Sequence, residues 1–402
     1  DSNLGIFNKI FMKKKIAILG STGSIGKSTL QIIKKNNQFD IKLLVTNKNF
    51  KEIIKQVKIF KPSVVIIINK DIYFKVKKKI KNKRLLILNN IENIQKYIKN
   101  IDITISAIPG IAGLKPTIIF TKISKKILIA NKEAIICGWH LIKKNSIKYK
   151  TELVPIDSEH FSINTLLKNY PSSKIEKIYI TASGGPFLKL NLNKFKNIKP
   201  KDAIKHPKWK MGKKISVDSA TLMNKVLEVT EALKLFPFSL EKYEVIIHPE
   251  SLIHAIIKIN NGTSIYLHHL PDMKIPIANA LLEDFNYKTF LNKKIQNIKK
   301  LSNLNFVSVD KKRFPSIGLI PEMNRGKSSS VIINAANEIF VDEFLKNNIN
   351  FNAIVDYLKL VLKDKNYIKT SNLSTYSIKN IYTIDSWARK TALKIIEKKK
   401  IN

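Results

Sequence analysis

From residue 15 onward, short runs of Ile, Val and Leu recur with charged stretches of helical period between them. The apolar runs at 15–20, 41–46, 64–68, 84–88, 103–107 and 127–130 have strand length and little alternation, the pattern of strands covered on both faces. Between them, 26–35, 50–60 and 91–99 read as helices. Strands alternating with helices at this spacing predict an α/β fold with a doubly wound parallel sheet over residues 1–150. Near residue 151 the pattern changes. The stretch 151–289 is dense in Gly, Ser, His and acids, with β-rich runs at 245–248 and 264–268, and predicts a central α/β catalytic unit. Residues 290–315, irregular and rich in Lys and Asn, read as a connection. From 316 to 402 the period is helical, with 330–345, 353–363 and 384–398 predicted as helices of a C-terminal helical unit.

A chain of 402 residues with 44% hydrophobic positions has room for two or three such units, each with a core. No apolar run approaches the ~20 residues needed to span a bilayer. Residues 1–11 lack a basic stretch followed by an apolar core, so no signal peptide is expected. Met12 stands directly before Lys13, Lys14 and Lys15, which makes 1–11 look like an upstream extension. A single cysteine, Cys137, excludes an internal disulfide and fits a reducing, cytoplasmic setting.

The net charge of +42 raises nucleic acid or an anionic membrane as partners. Two features argue against both. Lys, Ile and Asn share A/T-rich codons and are all abundant, and the lysines are spread along the whole chain. Arginine, the residue suited to bidentate phosphate and base contacts, occurs only at Arg84, Arg313, Arg325 and Arg389. No nucleic-acid or membrane partner is expected.

The first strand ends in Gly20-Ser-Thr-Gly-Ser-Ile-Gly26, and a helix follows. Small residues there let the backbone approach a pyrophosphate, and N–H groups at the helix start hold its charge, the arrangement of a Rossmann-type dinucleotide site. Gly23 and Gly26 take the last two places of the fingerprint, with Ser21 where its first Gly stands. After the second strand, an NAD site wants an acid for the ribose hydroxyls. Thr46, Asn47, Lys48 and Asn49 offer none, and one cation that suits a 2′-phosphate; the expected cofactor is NADPH.

Three further segments carry chemistry. Pro155-Ile-Asp-Ser-Glu-His160 spaces Asp157 and Glu159 two apart, on one side if extended, as oxygen ligands for Mg²⁺ or Mn²⁺. Ser183-Gly-Gly-Pro-Phe187 offers unhindered N–H groups and a hydroxyl to a phosphate. In 216–228, Ser219 or Thr221 is expected to cap one helix running through Leu235. Near its start Ser219, Asn224 and Lys225 offer a hydroxyl, an amide and a cation to an anion, and Glu228, on the face of Asn224, offers a third carboxylate. Trp209 and Met211, in a basic loop with Pro207 and Gly212, suit an apolar flap that excludes water, or packing on the unit's own core. His248, His254, His268 and His269 assemble no zinc set and are expected to be structural.

These segments, in order with Ala130-Asn-Lys-Glu133, His206-Pro-Lys-Trp-Lys-Met-Gly212 and Ile215-Ser-Val-Asp-Ser-Ala-Thr-Leu-Met-Asn-Lys225, resemble the 1-deoxy-D-xylulose 5-phosphate reductoisomerase family over nearly the whole chain. The resemblance implies rearrangement of the ketose phosphate and its reduction by NADPH to 2-C-methyl-D-erythritol 4-phosphate, assisted by Mg²⁺, Mn²⁺ or Co²⁺, in a homodimer. It implies Asp157, Glu159 and Glu228 as metal ligands, and Ser183, Ser219, Asn224 and Lys225 at the phosphate. Ser158, Lys132 and His206 would contact the sugar backbone, with Trp209 over the substrate and Lys132 and His206 counted with the catalytic groups. Thr22, Gly23, Ser24, Ile25, Asn47, Lys48, Asn49, Asn131, Glu133 and Gly212 would line the NADPH site. Three places depart from the family pattern: Asn47 for a usual Gly, Val226 for a usual Gly, and Leu267-His-His-Leu270 before Pro271.

Overall fold

In the computed structural model, which describes residues 12–209, 211–282 and 303–401, seven strands build a first sheet. They are β1 (Lys14–Leu19), β2 (Phe39–Thr46), β3 (Val64–Ile67), β4 (Leu86–Leu88), β5 (Ile101–Ser106), β6 (Ser124–Ile129) and β7 (Glu152–Pro155). Their order is β4-β3-β2-β1-β5-β6-β7, parallel throughout. The expected extension at 1–11, and 290–302 of the expected connection, lie outside the described residues. All four residues of β3 are buried, as the unbroken Val-Val-Ile-Ile run predicts for a strand with helices on both sides.

The helices α1 (Ser24–Lys34), α2 (Phe50–Phe60), α3 (Lys70–Lys79), α4 (Leu114–Thr121) and α5 (Lys132–Tyr149) connect these strands. Asn49, Asn69 and Asn131 start three of them, each side chain accepting a backbone N–H of the first turn. The helix expected at 91–99 is only the short turn Ile94–Lys96. Asn93, at φ 58° in the left-handed region, interrupts the chain just before it. The strand order reverses between β1 and β5, so the crevice at their carboxyl ends is the natural ligand position of such a sheet.

After α6 (Ser158–Leu167), a second sheet contains β8 (Ile175–Ala182), β9 (Tyr243–Ile247), β10 (Ile253–Ile259), β11 (Ser264–His268) and β12 (Val307–Ser308), in the order β11-β10-β8-β9-β12. Only β8 and β9 pair in parallel. Between β8 and β9 lie α7 (Pro200–Ala203), α8 (Lys213–Ala220) and α9 (Met223–Leu235), and α10 (Lys274–Leu281) follows β11. The C-terminal helices Ser329–Leu345, Ala353–Leu362 and Ile378–Ile401 match the expected helical region.

Three apolar clusters hold these layers together. One joins a face of the first sheet to α5, α9 and the C-terminal helices. Another joins the opposite face to α1, α2 and α10, and a third packs α9 against the second sheet. Since α9 belongs to two clusters, its polar face is held rigidly between the sheets. Among the described residues no helix is long and apolar enough to cross a membrane.

Candidate active site

The turn after β1 is shaped by contacts that only glycine allows. Gly20 sits at φ +89°, and a Cβ there would lie 2.6 Å from the Ala107 carbonyl oxygen. A Cβ on Gly26 would meet Gly20 O at 2.5 Å and Ser21 Cα at 2.6 Å. The start of α1 carries no acid in its first turn and no side-chain cap, so its N–H groups and dipole remain available to an anion. The Thr22 and Thr46 hydroxyls bond at 2.7 Å, tying the turn to the end of β2. Asn47, Lys48 and Asn49 are exposed there. Asn49 caps α2 through Glu52 N at 3.1 Å.

Two residues that the resemblance places at the cofactor are held by other partners. Asn131 accepts from Ala134 N at 2.9 Å, while its amide donates to Ile108 O and, at 3.0 Å, to Gly110 O. It pins the loop after β5 to the start of α5. The Glu133 carboxylate pairs with Lys214 at 3.3 Å. Burial opposes its ionisation, but the Lys214 charge outweighs this and keeps its carboxyl below the usual range.

The first turns of α5 and α6 and the inner face of α9 build the carboxylate cluster. Asp157, extended at φ −61° and ψ 139°, precedes α6, and Glu159 lies in the first turn. Ligand oxygens of Asp157, Glu159 and Glu228 all lie within 4.8 Å of one another. Two ammonium groups thread them. Lys132 Nζ is 2.8 Å from Asp157, 3.2 Å from Glu228 and 2.9 Å from the Asn224 amide oxygen. Lys225 Nζ is 2.5 Å from Glu159 and 2.7 Å from Glu228. Asn224 also donates to Glu228, and the Ser158 hydroxyl to Glu159 at 2.5 Å.

Buried charges persist only when paired, and here three carboxylates share two cations. The two glutamates divide accordingly. Burial works against ionisation of Glu159, yet the Lys225 charge and the hydrogen bonds around it hold its carboxyl well below the usual range. Burial and the neighbouring Glu159 charge push Glu228 up to about 7. Burial opposes the charge on both lysines, but the carboxylates win and raise them.

Behind the cluster, His160 Nε2 stands 2.9 Å from Glu228 O and Nδ1 stands 3.3 Å from Glu231 Oε2. Both side chains are fully buried, and burial pushes Glu231 up to about 7. This buttress ties α6 to α9, and the residue readings of the sequence did not include it. Its signal is present in the chain: His160 follows Glu159 directly, and Glu231 lies one helical turn beyond Glu228.

The Ser183 loop faces the same space. Gly184 and Gly185 have φ of +80° and +64°. A Cβ on Gly185 would come 3.0 Å from Ser219 O, so the small residues let this loop close against α8. His206 Nδ1 accepts from Lys208 N at 3.2 Å and Trp209 N at 2.9 Å. Its Nε2 therefore carries the hydrogen and donates to Ser183 Oγ at 2.9 Å. Burial and the Lys225 charge push His206 down to about 4, so the ring is neutral near pH 7.

One local expectation is corrected. Residues 216–235 are not one helix capped by Ser219 or Thr221: α8 ends at Ala220 and α9 begins at Met223, with Leu222 at φ 58° between them. Ser219 lies in the last turn of α8, and the Thr221 hydroxyl accepts from Met223 N at 3.3 Å. The break swings Asn224, Lys225 and Glu228 toward α5 and α6.

A cleft of about 580 Å³ joins these parts. Ser24 and Ile25 of α1 line one end. Lys132, Asp157, Ser158, Glu159 and Glu228 line its floor, with Asn224 and Lys225 beside them. Ser183, His206, Trp209, Gly212 and Ser219 complete the walls. Thr22, Gly23, Asn47, Lys48, Asn49, Asn131 and Glu133 do not line it. His254 and Met273 do, although the sequence reading expected His254 to be structural and gave Met273 no role. Trp209 is half-buried, its indole against His254 at 5.9 Å between centroids.

Comparison with known proteins points one way along the chain. Residues 16–138 match the family model for 1-deoxy-D-xylulose 5-phosphate reductoisomerase. Residues 153–236 and 269–391 match two models of C-terminal domains of that enzyme. A Pelagibacter ubique protein of the same name is 47% identical over 379 residues, covering 93% of this chain and 97% of its own. One from Wolbachia pipientis wMel is 38% identical over 391 residues, covering 96% and 98%. A crystal structure of DOX-P reductoisomerase in complex with NADPH, fosmidomycin and magnesium superposes with a TM-score of 0.90 at 32% identity, covering 96% of this chain and 99% of that one. The Zymomonas mobilis enzyme in complex with NADPH gives 0.84 at 30% identity, covering 96% and 100%.

Proposed function

This chain belongs to the 1-deoxy-D-xylulose 5-phosphate reductoisomerase family, and from that premise we propose how its own residues carry the reaction. The enzyme is an NADPH-dependent, divalent-metal-assisted oxidoreductase and isomerase that converts 1-deoxy-D-xylulose 5-phosphate to 2-C-methyl-D-erythritol 4-phosphate, a step of isoprenoid biosynthesis. The observation that carries the residue assignment is the shared cleft: the start of α1 and three carboxylates within 4.8 Å open onto one space.

Asp157, Glu159 and Glu228 fit a hard divalent cation, because all three offer oxygen; the His160 imidazole also lies near Asp157 but faces Glu231 behind the cluster. When bound, that cation supplies a Lewis acid at the substrate's carbonyl and hydroxyl oxygens, and NADPH supplies a hydride. The remaining tasks fall to the protein. Lys132 and Lys225 pair with the carboxylates in the cleft floor and hold them in place. Ser158 stands beside Glu159 to meet a sugar hydroxyl.

Ser183, Ser219, Asn224 and Lys225 converge on the phosphate end, where the Lys225 charge serves both phosphate and carboxylates. Neutral His206 holds Ser183 by donation from Nε2 and tethers the Trp209 segment by acceptance at Nδ1. Thr22, Gly23, Ser24 and Ile25 take the pyrophosphate end of NADPH, and Asn47, Lys48 and Asn49 its 2′-phosphate. Asn131, Glu133 and Gly212 frame the nicotinamide side. Asn131 does so by holding backbone in place, and Glu133 by pairing with Lys214 of α8.

NADPH oxidation with 1-deoxy-D-xylulose 5-phosphate tests this reading. Turnover is expected with Mg²⁺ or Mn²⁺ and lost in EDTA; turnover by Asp157→Asn after EDTA treatment would refute the metal assignment. We further propose a cytoplasmic homodimer, supported by the single buried Cys137 and by Tyr266, half-exposed on β11, an edge strand among the described residues. Sedimentation at micromolar protein tests the dimer. We read the chain as a cofactor unit at 1–150, a metal and substrate unit at 151–289, a connection at 290–315 and a helical unit at 316–402.

A further inference from the structure

None of the roles above uses the segment Leu267-His-His-Leu270. In the structure its second histidine lies in a row of rings that starts at the cleft. Trp209 meets His254 edge to face at 5.9 Å between centroids and 70°. His254 stacks flat on His269 at 4.0 Å and 16°, and Phe161 closes the row against His269 at 6.0 Å and 66°. His254 and His269 are 2% and 7% exposed, so neither ring serves solvent.

The His269 ring is fixed from several sides. Its backbone N–H donates to Leu252 O at 2.9 Å, its Nδ1 lies 2.8 Å from Leu270 O, and Phe161 of α6 abuts it. His254 has less support of its own. Its Nε2 reaches His269 O at 3.4 Å, a long hydrogen bond, and its ring stacks on His269. Burial pushes both imidazoles down, His254 well down with the help of its neighbour, so two neutral rings stack without repulsion.

We propose that His269 is a positioning residue for the reaction: by stacking on His254 it fixes the ring against which Trp209 docks over the sugar phosphate. His269 itself does not line the cleft and acts through His254, which does. The inference rests on the functional reading above, because it assumes that the substrate lies under Trp209.

The test is a double-mutant cycle read in the KM for 1-deoxy-D-xylulose 5-phosphate. His269→Leu, which keeps bulk and loses the flat ring, is expected to raise that KM roughly 2- to 10-fold, the range of one aromatic pair. KM for NADPH should stay unchanged. His269→Phe, which restores a flat ring, should return the substrate KM to within about twofold of wild type, inside the spread of additive mutants. In a Trp209→Leu background, His269→Leu should add almost nothing, because the ring it supports no longer has a partner. Equal effects of His269→Leu with and without Trp209, or a Phe variant as impaired as the Leu one, would overturn the proposal. If His269→Leu does not fold, His269→Gln runs the same cycle. A wild-type enzyme without turnover would count against the functional reading, whereas turnover without coupling counts against this inference alone.

Discussion

The two ends of the cleft hold charge by opposite means. At the turn after β1 the backbone does the work: glycines let it bend, and the start of α1 points unshielded N–H groups outward. At the carboxylate end, side chains from α5, α6 and α9 do it, with five ionised or ionisable groups packed within hydrogen-bonding reach. At Gly20 and Gly26 the backbone end tolerates no added atom. The side-chain end tolerates no lost charge, since each group is there to balance another. The difference teaches that one cleft can carry a local, rigid anion site beside a non-local one that answers to pH and cations.

Replacing Glu228 should sharpen that contrast most. Glu228→Gln removes a proposed ligand and frees Lys132 and Lys225 from a shared partner. We expect kcat/KM to fall by more than about 100-fold, the upper effect of outer-shell partners of a metal, with Mn²⁺ affinity falling in parallel. Retained Mn²⁺ binding in a direct titration would break the assignment. Next comes Gly26→Ala, whose Cβ collides with backbone at 2.5 Å and 2.6 Å. Overpacking of about 1–3 kcal/mol predicts a roughly 10- to 100-fold weaker NADPH affinity, with Mn²⁺ binding unchanged. Fluorescence titration of NADPH reads the first and Mn²⁺ titration the second.

Lys48 makes a smaller test because it is exposed. Lys48→Glu should raise KM for NADPH by up to roughly fivefold, the scale of one exposed charge pair, and leave NADH unchanged. An equal change for both cofactors would remove Lys48 from the 2′-phosphate.

The smallest effect concerns pH. Glu228 and Glu231 are raised from 4.5 to about 7, so between those values the folded protein binds more protons than the unfolded one. Stability from these groups is therefore complete below about 4.5 and is lost as pH rises through about 7. His206, His254 and His269, held below the usual imidazole range, act in the opposite direction, so the contribution is read as a difference: without added divalent cation, the Tm of wild type minus that of Glu231→Gln should fall from pH 5 to pH 8. A difference that grows over the same range would contradict the raised Glu231 carboxyl.

Much of the architecture was legible because it is written locally. The Ile/Val runs predicted six strands of the first sheet, and 50–60 read as the helix that forms over Phe50–Phe60. Polar and special backbone positions were harder. Asn93 and Leu222, both left-handed, break helices that periodicity alone carries straight through. The seventh strand, Glu152–Pro155, is too short and mixed to stand out, and only pairing with β6 makes it a strand. His254 and Met273 gave no local signal, because their place in the cleft depends on how the segments around β10 and α10 pack.

By itself the sequence determined the glycine turn, the missing acid after β2 and the order of the acidic and small-residue segments. Those features act over a few residues, where steric rules and spacing decide. Only the tertiary structure decided that Lys132 and Lys225 stand between the carboxylates, that Asn131 is spent on holding backbone and Glu133 on pairing with Lys214, and that His269 backs His254. Apart from the local Lys225–Glu228 and Asn131–Ala134 contacts, these depend on separations of 15 to 96 residues closed by packing. The physical reason is that an ion pair or a ring stack is set by where helices come to rest, and a chain's local pattern says which face is buried but not which charge it will meet there.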